Sequence, residues 1–152
     1  MIILPHLYIV YMITICLAIF TYTDIKSRSI NPALIAIMLG FSLIISTIFG
    51  YKMNLGQVLV GLLVGGLPYL ILAFINKGGK TYALLMGALG FILGFPNILH
   101  LIIMVFIIYC LFGIFYFIFS KNRKKIFRFQ LPHVPFVMVA WILFAATGMF
   151  TE

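Results

Sequence analysis

The stretch NKGGKTYALLMGALGFILGFPN, residues 76–97, decides how many times this chain crosses a membrane. Joined to the apolar run before it, it would prolong a single span from residue 56 to residue 94. Its ends argue otherwise, because "NKGGK" and "GFPN" carry the glycines and the proline that break helices. We therefore split the run and place a short span at about 81–94.

Working outward, the other apolar runs predict spans at about 3–22, 32–50, 56–75, 97–120 and 134–150. The chain is 65% hydrophobic and 8% charged over 152 residues, which excludes an ordinary soluble domain. A span takes about 20 residues to cross roughly 30 Å of hydrocarbon, so a chain of this length supplies about six and leaves no room for a soluble domain. The expectation is an all-α, six-helix transmembrane bundle forming one domain, 1–152. The first run lacks a basic leading segment and a small-residue cleavage site, so it is read as a retained helix. Cys16 and Cys110 fall inside apolar runs without metal-ligand spacing, and are expected as buried small hydrophobes.

An even number of spans puts both termini on one side. The loops after the first, third and fifth spans hold Lys26, Arg28, Lys77, Lys80, Lys121, Arg123, Lys124, Lys125 and Arg128, whereas the alternate loops hold only Lys52. This asymmetry places those three loops in the cytoplasm and both termini outside, in a cytoplasmic (inner) membrane. The run "KNRKKIFRF" either fixes topology alone or also binds anionic membrane lipid or an acidic partner. Orientation accounts for the positive charge, so nucleic acid is not expected as a partner. Glycines four apart in "GLLVG" (Gly61, Gly65) and "GFILG" (Gly90, Gly94) predict close helix packing.

The first cytoplasmic loop, "TYTDIKSRSINPAL" at residues 21–34, holds Asp24, one of two acidic residues in the chain. A lone carboxylate there has two readings. It pairs with Lys26 or Arg28 or caps the next helix, or it does chemical work, as ionisable groups at membrane depth often do.

The wider pattern favours work. Asp24-Ile25, then Ile30, Asn31 and Leu34, resembles the first active-site segment of the type IV prepilin peptidases, D-[IL]-x-x-x-x-I-P-N-x-L, with proline and asparagine exchanged in "INPAL". "GKTYALLMGALGFILG" resembles the second segment, G-x-G-D-x-K-L-x-A-A-L-G, through Gly79, Leu85, Ala88, Leu89 and Gly90. "LPHVPF" resembles the family's I-P-[FY]-x-P-F at Pro132, Pro135 and Phe136. These segments cover almost the whole chain and suit the family's short form, without a cytoplasmic zinc-binding insertion.

The resemblance implies a GxGD-type intramembrane aspartic protease that removes a basic leader from pilin-like precursors. That chemistry takes two aspartates, one ionised to activate water and one protonated to polarise the scissile carbonyl. Here the second aspartate position holds Tyr82, the second glycine is Thr81 and the motif lysine is Leu84. The other acid, Glu152, is expected across the membrane. A phenol with an ordinary pKa of about 10 does not replace half of a proton-sharing dyad.

The resemblance thus implies catalytic positions at Asp24 and Tyr82, and leader contacts at Asn31, Gly79, Thr81, Pro132 and Pro135. No metal or cofactor is expected, since His6, His100 and His133 are spread over both faces and His133 is read as an interfacial residue. "GGKT" at 78–81 is not a phosphate-binding loop, because the glycine required five residues before Gly79 is Phe74. Two functions stay open: a protein with impaired or no peptidase activity that binds a pilin-like leader or assists pilus or secretion assembly, and an active prepilin leader peptidase. A small transporter is weakened by the lack of acids within the spans. The sequence leaves oligomeric state open.

Overall fold

A computed structural model describes residues 3–48, 54–75, 79–119 and 132–147, with side chains from Leu7 onward. Lys52, Lys77, Gly78, Lys121, Arg123, Lys124, Lys125, Arg128 and Glu152, and the side chain of His6, lie outside the described residues.

Six helices follow one another: α1 (Ile3–Ser27), α2 (Pro32–Ile48), α3 (Leu55–Phe74), α4 (Lys80–Leu93), α5 (Asn97–Phe119) and α6 (Val134–Ala146). The expected break between the third and fourth spans is present, with α4 starting after Gly79 and stopping at Gly94. Gly94 has φ 67, a conformation that costs glycine nothing and ends the helix. Three helices, α1, α3 and α5, contain stretches long and apolar enough to cross a membrane. The other three are shorter. At 14 residues α4 is about 21 Å long, less than the hydrocarbon thickness of about 30 Å.

α1 runs further than expected, and Asp24 lies in its last turns instead of in a loop. The polar residues there sustain the helix: Thr23 donates to the Phe20 carbonyl at 3.0 Å and Ser27 to the Thr23 carbonyl at 2.8 Å. Arg28, at φ 52, ends it. Asn31 then caps α2, its side-chain oxygen accepting the Ala33 N–H at 3.0 Å, so Asp24 is not the cap.

α4 is the buried centre, with Leu85, Met86 and Leu89 fully enclosed. It packs most closely on α3. A Cβ on Gly61 would collide with the Gly90 carbonyl, and one on Gly65 with the Met86 carbonyl, so these helices touch backbone to backbone. α2 and α5 flank α4, while α6 lies between α1 and α5. On α1 the buried positions are Ile9, Ile13, Leu17, Phe20 and Asp24, a stripe of three- and four-residue steps that ends on the carboxylate. It meets Trp141 and Phe144 of α6, whose rings are fully buried, and the Trp141 indole donates to Thr14 Oγ1 at 2.9 Å. Cys110 departs from expectation: it is exposed on α5, and Cys16 is only half-buried. Most described residues of α5 beyond Val105 are exposed, Cys110 among them.

Candidate functional site

Asp24 is fully buried, with 0% exposure, and both of its oxygens are engaged. Oδ1 accepts the Tyr82 hydroxyl at 2.5 Å, and Oδ2 accepts the Val134 backbone N–H at 2.9 Å. Each partner follows from local structure. Tyr82 sits in the first turn of α4, with its N–H on the Gly79 carbonyl at 3.0 Å. Val134 opens α6, where the first N–H groups have no partner inside the helix. One carboxylate therefore ties α1 to α4 and α6, and its negative charge faces the positive end of the α6 dipole.

These contacts correct the pairing expected for Asp24. It pairs with a phenol and a backbone amide, not with Lys26 or Arg28. Lys26 Nζ instead lies 5.9 Å from the centre of the Tyr22 ring. No part of Asp24 reaches the surface in this conformation.

His133, expected at the interface, belongs to the same cluster. Its Nδ1 shares a hydrogen bond with the Tyr109 hydroxyl at 2.5 Å. Its ring lies 5.0 Å from that of Tyr69 and 5.4 Å from those of Tyr82 and Tyr109, centre to centre. Tyr109 is stacked in turn on Phe136 at 4.3 Å. Burial pushes the His133 imidazole down to about 4, against a smaller opposing pull from the Asp24 charge, so it is neutral at pH 7. Its Nε2 has no partner among the described residues.

The structure brings Asp24 and Tyr82 into direct contact, with Gly79 capping α4, Thr81 in its first turn and Pro132 beside His133. Asn31 is exposed and occupied as the α2 cap. Pro135 turns away and lines an apolar groove between α5 and α6 with Phe112 and Phe136. Tyr69 and Tyr109 were not singled out in the sequence. They sit inside uninterrupted apolar runs, where only a fold shows which faces converge. No group of three or more metal-ligating side chains converges among the described residues. Chemically, the centre offers one carboxylate, a phenol bonded to it and a neutral imidazole, with no second carboxyl group among the described residues.

A family model described as the type IV leader peptidase family matches residues 11–118, which include Asp24, Tyr82, Tyr69 and Tyr109. The segment with Pro132, His133 and Pro135 lies beyond the matched region. No curated protein and no solved structure matches the chain.

Proposed function

The chain belongs to the type IV leader peptidase family, and from that membership we propose a prepilin-peptidase-like protein of the cytoplasmic membrane that has lost leader cleavage. In this reading it engages the leader or apolar helix of a pilin-like precursor during pilus or secretion assembly. It crosses the membrane six times, with both termini outside and the Asp24 end of the bundle at the cytoplasmic face. The distribution of Lys and Arg supports that orientation.

One observation carries the loss of cleavage. At the position where the family's motif has its second aspartate, Tyr82 donates its hydroxyl to Asp24. Aspartic catalysis needs two carboxyl groups that titrate apart, and removing a member of such a unit typically costs several orders of magnitude in rate. Asp24 in this arrangement holds helices together.

The test uses the purified full-length protein in proteoliposomes with a pilin-like precursor bearing a basic leader. Binding without cleavage is expected. Tyr82→Asp with Thr81→Gly rebuilds the motif and is expected to return some cleavage. Efficient cleavage by the unmodified protein, abolished by Asp24→Asn, would replace this reading with that of an active peptidase. A reporter fused after Glu152 that works only in the cytoplasm would overturn the orientation.

A further inference from the structure

α2 and α3 pack on two sides of α4 and not substantially on each other, which leaves a groove of about 700 Å³ with α4 as its floor. Its walls are leucines, Leu39 and Leu43 from α2 and Leu63 and Leu67 from α3, and its floor includes Gly87 and Phe91. Lys80 is the one charged residue among those that line it.

We propose that this groove holds one anionic phospholipid of the cytoplasmic leaflet, with an acyl chain along the leucine walls and the phosphate on Lys80. The site is distinct from the Asp24 cluster. At about 100° per residue, Lys80, Leu84, Gly87 and Phe91 share one face of α4, while Tyr82 lies on the opposite face, about 200° from Lys80.

Three observations select this occupant. First, a groove open to hydrocarbon does not stay empty, and lipid tails match leucine in polarity, so an acyl chain fills it without a desolvation cost. Second, no acidic side chain among the described residues pairs with Lys80, which leaves its charge free to meet a phosphate. The one acid described is Asp24, which is buried and bonded to Tyr82 and Val134. A basic leader would be repelled at the same mouth, which disfavours it as the occupant. Third, α4 is too short to span the hydrocarbon, so Lys80 begins the helix where a flexible ammonium can reach up to a phosphate.

The experiment is native mass spectrometry of the full-length protein released from mixed micelles. These contain equal amounts of phosphatidylglycerol and phosphatidylcholine with identical acyl chains. One retained lipid is expected, with phosphatidylglycerol favoured about fivefold, the ratio that one Lys near an anionic surface supplies. Lys80→Gln is expected to bring the ratio to near one, and Lys80→Arg to keep it. Ala73→Trp, which fills the groove, is expected to release both lipids, and excess inorganic phosphate to release neither. Matching melting temperatures confirm that the variants fold. The proposal is overturned by absence of retained lipid, by a preference that survives Lys80→Gln, or by stoichiometric displacement with the apolar helix of a pilin-like precursor, which would make the groove a protein-docking surface. None of the lipid measurements requires leader binding, so they stand apart from the proposed function.

Discussion

Tyr82→Phe removes one oxygen atom and leaves the ring in place, so it isolates the bond between α4 and α1. In the parent protein that hydroxyl meets Asp24 Oδ1 at 2.5 Å, at a residue with 0% exposure. Hydrogen bonds to charged groups contribute about 1.5–3 kcal/mol, and here the oxygen left behind has no access to bulk water, so a loss of about 2 kcal/mol is expected. Val134 N–H still satisfies Oδ2, which keeps the loss from being larger. Asp24→Ala is expected to cost more, about 4 kcal/mol, because it strands two buried donors at about 1–3 kcal/mol each. Asp24→Asn preserves an acceptor for Val134 N–H and offers its amide to the Tyr82 oxygen, and is expected to fall well below either. Reversible unfolding in mixed micelles, followed by tryptophan fluorescence of Trp141, supplies the four corners of a double-mutant cycle with Tyr82→Phe and Asp24→Ala. The expected coupling is about 1–3 kcal/mol. Additive single changes, with Tyr82→Phe within about 0.5 kcal/mol of the parent, would refute the argument that Asp24 ties the helices through Tyr82.

Three further outcomes follow from the same packing. Gly90→Val is expected to destabilise the protein strongly, since a Cβ there meets the Gly61 carbonyl, whereas Gly113→Ala has open space and is expected to stabilise α5 by up to about 1 kcal/mol in the same unfolding assay. The His133 imidazole, lowered by burial from 6.5 to about 4, is expected to stay neutral at pH 6 in a nitrogen-15 NMR titration. Because the folded value lies below the unfolded one, its effect on stability is absent above about pH 6.5, and stability falls as pH drops from there towards 4. His133→Gln is expected to remove that acid sensitivity, and an unchanged pH profile would contradict the enclosed position of the ring.

Much of the fold was legible because helix breaks are local. The glycines and proline around residues 76–97 separate α4 from its neighbours by backbone chemistry alone, and the structure places a helix between them. The glycine pairs also announced close packing, and α3 and α4 supply it. The end of α1 was less legible, because Thr23 and Ser27 bond back to their own helix where a sequence reading sees a polar loop. Asp24 and Tyr82 were brought together by motif spacing, and their contact agrees with it. His133, Tyr69 and Tyr109 had no comparable signal, since they meet only when α3, α5 and the start of α6 converge.

By itself the sequence determined a membrane-type, all-helical chain, its helix breaks and the absence of a second aspartate beside Asp24. Tertiary structure alone decided which face of each helix is inside. In a soluble helix a polar outer face reveals the inner one, but here α1, α3 and α5 are apolar on all sides, since lipid and protein interior make the same demand of a side chain. Burial of Ile9, Ile13, Leu17 and Phe20 on α1 is therefore set by how α6 and α2 pack against it. The same packing delivers Asp24, at the end of that stripe, to the Tyr82 hydroxyl and the Val134 amide, because a buried carboxylate is stable only where donors from other helices reach it.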